Sequence, residues 1–239
     1  MIEGMVPVGH VILKWLLAMP VRFLVFRIEV RGRENIPDVG GVIVVANHIS
    51  NLDPGVIGTT VDRRIRFMAK RELFRPPFGV LFRLYGAFLV RRLEADIGAL
   101  RKAEKIVRSG DLLGMFPEGT RSRGGQLTEA HPGTALIALR TGAPVVPAAI
   151  AGTDEVEWPL GIFRRPRLRV VYGEPFFLER PARINSASVQ EATIDIMKRV
   201  ADLLPAERRG VYGGDAKPSA SPVGAPNGSE ALEARAPRS

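Results

Sequence analysis

The chain has 239 residues, 46% hydrophobic and 25% charged, which suits one α/β domain with a sizeable core and some terminal extension. It contains no cysteine, which excludes disulfides, thiolate catalysis and cysteine metal sites, and its three histidines, His10, His48 and His131, show no metal-ligand spacing. A net charge of +9 favours a polyanionic partner: nucleic acid, an anionic membrane surface or a phosphorylated substrate.

The first segment, Met5 to Phe26, is mostly apolar but is interrupted by His10, Lys14, Pro20 and Arg22. A spanning helix needs about 20 predominantly apolar residues, and a central lysine costs roughly 3 kcal/mol on insertion scales. His10 and Lys14 share one helical face, so the segment fits a helix lying in the membrane interface. A helix packed on the protein's own core is the alternative that the segment by itself leaves open. No basic leader region or small-residue cleavage site marks a secretory signal.

Strands are predicted at 27–32, 41–46, 65–69, 87–90, 112–116, 144–150 and 167–173, each an aliphatic or alternating run. Helical patterns follow Pro54 and Pro77, cover 95–110 and 133–142, and occupy 188–204. Those two central helices stop at Gly110 and Gly142, the residue that tolerates a left-handed C-cap. Strands alternating with helices predict an α/β fold with a mostly parallel central sheet flanked by helices. From about Gly213 the chain is rich in Gly, Pro, Ser and Ala and lacks the apolar content to offset ordering entropy. The expected division is therefore a membrane-associating helical segment at 1–26, one domain at 27–212 and a disordered tail at 213–239. Basic residues cluster at Arg63, Arg64, Arg66, Lys70, Arg71, Arg75, Arg83, Arg91 and Arg92, which on charge alone is a solvated basic face.

Four stretches could carry chemistry. "NHISNLDP" puts His48 two residues past a buried strand, where ligands bind in open α/β sheets. Asp53 before Pro54 has the look of a helix N-cap, a role compatible with holding an imidazole. "GAFLVRR" is a strand that ends in two arginines. "FPEGTRSRGG" leaves another aliphatic strand, with Gly119 allowing close backbone approach and Arg121 and Arg123 offering planar forks for phosphate oxygens. A surface loop with an internal Glu–Arg pair is its bland alternative. "APVVPAAI" carries Pro144 and Pro147, which predict an edge strand or a local irregularity.

In this order the four stretches resemble the PlsC-like glycerophosphate acyltransferases of the lysophosphatidic acid acyltransferase type. The N-H-x4-D block is Asn47, His48 and Asp53; the G-x-x-hydrophobic-hydrophobic-x-R block runs from Gly86 to Arg92; "FPEGTRS" is met without a departure; and Ala143 replaces the leading valine of the fourth block. The motifs span Asn47 to about Ile150, and the flanking elements extend the likeness to roughly Leu204.

The resemblance implies transfer of a fatty acyl group from acyl-CoA or acyl-carrier protein to the sn-2 hydroxyl of lysophosphatidic acid. The same chemistry on another lysolipid or glycolipid, such as an ornithine lipid or phosphatidylinositol mannoside, is the nearest alternative. It implies His48 and Asp53 as the catalytic pair and Arg92, Glu118, Gly119, Thr120 and Arg121 as the acceptor site, with Lys70 as a further phosphate contact. No metal and no cofactor beyond the thioester co-substrate is expected. The absence of cysteine and of a G-x-S-x-G elbow disfavours an acyl-enzyme, leaving direct attack assisted by a general base. The expected place of action is the cytoplasmic face of the cell membrane, reached peripherally through an anionic lipid surface. A non-catalytic membrane-docking protein would need neither His48 nor Asp53, and no nucleic-acid-binding motif is evident.

Overall fold

Each of the seven aliphatic runs becomes a strand of one sheet in the computed structural model, which describes residues 26–70, 88–90, 97–122, 124–156 and 164–214. The strands are β1 (Arg27–Arg31), β2 (Val42–Ala46), β3 (Ile65–Lys70), β4 (Phe88–Val90), β5 (Leu112–Met115), β6 (Val145–Ala151) and β7 (Arg167–Tyr172). The helices are α1 (Asp53–Thr60), α2 (Ile97–Arg108), α3 (Gly133–Thr141) and α4 (Ser186–Asp202), followed by short 3-10 turns at Ala206–Arg208 and Gly210–Tyr212. Residues 1–25 of the expected membrane-associating segment, the helix after Pro77, Arg71, Arg75, Arg83, Arg91, Arg92, Arg123 and the tail from residue 215 lie outside the described residues, whereas Phe26, the segment's last residue, is buried in the α1-side core. Among the described residues no helix is long and apolar enough to cross a membrane.

The strand order is β1-β7-β6-β2-β5-β3-β4. The five strands from β6 to β4 run parallel, and the antiparallel pairing of β6 with β7 reverses β7 and its parallel neighbour β1. β2 sits in the middle and is buried along its whole length, which explains why "VIVVA" is a continuous apolar run and not an alternating one. Its side chains still alternate between faces: Ile43 and Val45 join the core beneath α2, α3 and α4, while Val42, Val44 and Ala46 join the core beneath α1. β7 alternates exposed and buried because only one of its faces is covered.

The predicted helix ends hold. Gly110 and Gly142 both take positive φ, at 88° and 66°, and the Gly142 N–H donates to the Ala138 carbonyl. α4 starts with a reciprocal capping box between Asn185 and Ser188.

Of the two alternatives predicted for β6, the local irregularity is the one that forms, since the strand lies inside the sheet between β2 and β7. Its prolines are accommodated because the antiparallel register slips by one residue between the Ala148–Tyr172 pair and the Val145–Phe176 bridge. Pro147 falls in that slip, where its carbonyl still accepts from Gly173 N–H at 2.8 Å and no ladder donor is needed. The basic cluster is not a uniform solvated face. Arg63 donates to the carbonyls of Pro37, Gly40 and Gly110, and Arg66 pairs with Asp111 at 2.7 Å, so these two side chains fasten loops and strand starts.

Gly114 in β5 leaves the space that the Phe67 ring occupies, and a Cβ there would meet three ring carbons. Phe67 is itself buried in the α1-side core, so the ring has little room to yield. Gly114→Ala is expected to cost about 1–3 kcal/mol, the range for overpacking, measured by urea denaturation against the wild type.

Candidate active site

Three neighbouring parallel strands, β6, β2 and β5, end at the same edge of the sheet, and each releases a loop there. β2 leads into Asn47 and His48, β5 into Phe116–Ser122, and β6 into Gly152 and Thr153. The edge formed by strand carboxyl ends is the ligand-binding side of an open α/β sheet.

Asn47 is buried, and its amide continues the ladder past the end of β2. Its Nδ2 donates to the Ile150 carbonyl at 3.0 Å, and its Oδ1 accepts from Ile150 N–H at 2.8 Å. The chain can therefore leave the sheet at His48 without orphaning the backbone of β6. His48 then has both its backbone groups held: its N–H donates to Glu118 Oε1 at 2.9 Å, and its carbonyl accepts from Ser122 N–H at 2.8 Å. The imidazole stacks on Phe116 with centroids 4.5 Å apart, and Phe116 stacks on Phe67 in turn.

The ring's orientation is set by Asp53. His48 Nδ1 lies 2.8 Å from Asp53 Oδ2, and the same oxygen accepts from the N–H groups of Ile49 and Ser50, each at 2.8 Å. Asp53 Oδ1 accepts from the Thr153 hydroxyl at 2.6 Å. Oδ2 presents an acceptor, so Nδ1 donates and the lone pair falls on Nε2. The carboxylate is fully buried, whereas the His48 side chain is 18% exposed, enough for a ligand to reach it.

Asp53 does not cap α1 as predicted. It is the first residue of the helix, Leu52 takes the cap position, and no side-chain cap is made. The physical reason is competition: the carboxylate is already occupied by the His48–Ser50 turn and by Thr153.

Glu118, expected to line the acceptor site, is turned inward and buried. Its Oε1 takes the His48 N–H, and its Oε2 takes the N–H and hydroxyl of Thr128, at 3.0 and 2.9 Å. It clamps the β2 and β5 loops together. Burial pushes its carboxyl above the ordinary value, and the hydrogen bonds from His48 and Thr128 oppose that rise. No Glu118–Arg121 pair forms here, since both carboxylate oxygens serve backbone and hydroxyl donors.

Gly119, Thr120 and Arg121 are exposed on the same loop, beside the clamped His48. Gly119 has φ 66°, a backbone conformation that favours glycine, and a Cβ there would also displace the exposed His131 ring. Lys70 is the last residue of β3 and so ends on the same edge as His48. Thr153 and Thr128, which hydrogen-bond Asp53 and Glu118, are the site residues that sequence reasoning missed. A Gly-Thr pair just past a strand end was the available signal for Thr153, but its meaning depends on β6 lying next to β2.

A family model described as Acyltransferase matches residues 27–151. Among curated relatives, the 1-acyl-sn-glycerol-3-phosphate acyltransferase of Borreliella burgdorferi is 36% identical over 131 residues, covering 54% of this chain and 52% of that protein. The protein of the same name from Bacillus subtilis is 27% identical over 183 residues, covering 74% and 89%. A chloroplastic 1-acyl-sn-glycerol-3-phosphate acyltransferase of Brassica napus is 29% identical over 158 residues, covering 64% and 46%. The chain thus spans about half the length of two of these three relatives and most of the third. Its fold is that of the 1-acyl-sn-glycerophosphate (LPA) acyltransferase PlsC from Thermotoga maritima, with a TM-score of 0.63, 28% identity and coverage of 85% of this chain and 83% of that one.

The raised carboxyl of Glu118 carries a pH dependence with a definite sign. Between the ordinary value of 4.5 and the raised folded value, the folded state binds more proton than the unfolded state. The Glu118 contribution to stability therefore falls as pH rises through that window and is lowest above it. Glu118→Gln cannot titrate, so the stability difference, wild type minus variant, should decline across the window in urea denaturation at a series of pH values.

Proposed function

The chain belongs to the acyltransferase family, and from that premise we propose that it moves a fatty acyl group from acyl-CoA or acyl-carrier protein to the sn-2 hydroxyl of 1-acyl-sn-glycerol 3-phosphate, giving phosphatidic acid. The observation that carries this reading is the His48–Asp53 pair at 2.8 Å, set on the strand edge with Nε2 facing away from the carboxylate.

The step needs no covalent intermediate on the protein. His48 Nε2 takes the proton of the acceptor hydroxyl as its oxygen bonds to the thioester carbonyl carbon. Asp53 stabilises the imidazolium that forms. Collapse of the tetrahedral intermediate breaks the C–S bond, and the proton held on Nε2 passes to the departing thiolate. General-base assistance contributes typically 10²–10⁴-fold, so holding the acceptor in place has to supply much of the remaining acceleration. In this reading Gly119, Thr120 and Arg121 hold the acceptor phosphate, joined by Arg92 and Lys70. Arg121 suits that task because it is exposed and, among the described residues, has no ion-pair partner. The net charge of +9 and the apolar residues 5–25 support peripheral action at an anionic membrane surface.

The direct test is purified protein with labelled acyl-CoA or acyl-carrier protein and a panel of lysolipids, with products resolved by mass. Phosphatidic acid should form from lysophosphatidic acid in preference to products from acceptors without a phosphate. His48→Ala is expected to lower turnover by at least about 10²-fold while the far-ultraviolet spectrum and melting temperature stay near those of the wild type. Near-normal turnover in a folded His48→Ala protein would remove His48 as the base.

Arg121→Ala and Arg92→Ala should each raise KM for lysophosphatidic acid by roughly tenfold or more, the scale of one charge-assisted hydrogen bond, with KM for the thioester little changed. Steady-state kinetics with each substrate varied in turn separates the two effects. If only the thioester KM moves, these arginines serve the donor.

A further inference from the structure

Thr153 lies beyond the family match, which ends at residue 151, and nothing in that match assigns it a role. It is 1% exposed, and its hydroxyl is the donor to Asp53 Oδ1, across 100 residues of chain. The two oxygens of Asp53 are therefore divided. Oδ2 is shared by His48 Nδ1 and two backbone N–H groups, while Oδ1 depends on Thr153.

The threonine is held there from both sides. Gly152 before it takes φ 86°, and a Cβ at that position would collide with the Arg167 carbonyl, so the turn after β6 requires glycine. Asp154 after it pairs with Arg208 at 3.0 Å, which ties the turn to the C-terminal 3-10 segment. A β-branched side chain adds its own stiffness at χ1. The hydroxyl is consequently delivered to one place.

We propose that Thr153 is a positioning residue of the catalytic pair: it completes the hydrogen bonding of the Asp53 carboxylate at Oδ1 and, by drawing on its negative charge, moderates the basicity of His48. The proposal rests on the reading of His48 as the base. Its physical content is a competition for the same charge. A carboxylate that gives one hydrogen bond's worth of charge to Thr153 stabilises the imidazolium less than one that does not. The proton taken from the acceptor hydroxyl is then more readily surrendered to the leaving thiolate. Oδ2 stays anchored by Ile49 and Ser50, so losing Thr153 strips a donor from the carboxylate without freeing it to swing away.

The test compares Thr153→Val, which keeps the shape and removes the donor, with Thr153→Ser, which keeps the donor. His48 is titrated by NMR through its Cε1–H resonance, identified by its disappearance in His48→Ala. In Thr153→Val the His48 pKa should rise by about half a unit or more, and in Thr153→Ser it should stay near the wild-type value. Turnover in Thr153→Val should fall by about tenfold with KM for both substrates little changed, and the acid limb of the kcat/KM profile should move to higher pH. If Thr153→Val does not fold, Thr153→Ala removes the same donor without the branched methyls and is read in the same way. A His48 titration in the donor-free variant that matches the wild type, or that moves downward, overturns the proposal. The titration needs no turnover, so a wild-type protein that fails to transfer acyl groups would overturn the proposed function and leave this result to be judged separately.

Discussion

The Asp53 carboxylate is the group on which the rest of the site depends. A carboxylate with no solvent exposure is costly unless donors replace its water, and here four do so: one imidazole nitrogen, two backbone N–H groups and one hydroxyl. Satisfying it dictates the path of the chain from His48 to Asp53, because the two backbone donors belong to consecutive residues of that turn. The same demand removes Asp53 from helix capping and makes it the first residue of α1. The imidazole is then one of four spokes on a fixed hub, and its free edge can point in only one direction.

A second buried carboxylate does complementary work. Glu118 holds the backbone of His48, whereas Asp53 holds its ring. Between them the Cα position and the ring orientation are fixed from two different elements, the loop after β5 and the start of α1, which is the fixity that the proposed general base requires. The Phe67–Phe116–His48 stack adds an apolar wall on one side of the ring. Glu118 shows its burial as a raised carboxyl, with three accepted hydrogen bonds offsetting part of the desolvation.

Much of this architecture was legible in the sequence because it is written in local pattern. Strands were marked by runs such as "VIVVA" and "LLGM", and helix ends by Gly110 and Gly142, since burial on a strand and a left-handed cap depend on near neighbours. The paired turn was legible through its spacing, His48 to Asp53 just past a strand end. What failed has a common cause in distance. Whether Asp53 has an oxygen left to cap a helix depends in part on Thr153, 100 residues away, and whether Glu118 faces a ligand depends on His48, 70 residues away. The place of β6 depends on strand order, which no window of its own residues contains. Its prolines were compatible with an edge or a local irregularity, and the strand order selects the irregularity, a one-residue register slip.

The distances also say when the site can exist. His48 joins Glu118 across 70 residues, Asn47 joins Ile150 across 103, and the segment after the catalytic block closes the last gaps. Leu127 N–H donates to the Arg208 carbonyl, Val211 N–H donates to the Leu127 carbonyl, and Ala130 N–H donates to the Tyr212 hydroxyl. These bonds fix residues 127–130, from which Thr128 reaches Glu118 and so the His48 backbone. Arg208 reaches Asp154 on the other flank, one residue from Thr153. The 3-10 turns at 206–212 therefore bear on both carboxylates, one through each flank, although they lie some fifty residues or more past the end of the matched block. Loop closures of this length carry an entropic cost that grows only slowly with length, so a site joined from distant segments is thermodynamically tolerable. It is still a non-local one, assembled only when β6, β2 and β5 have taken their places and the C-terminal turns have docked. The backbone of His48 is thus held by the same contacts that complete the domain.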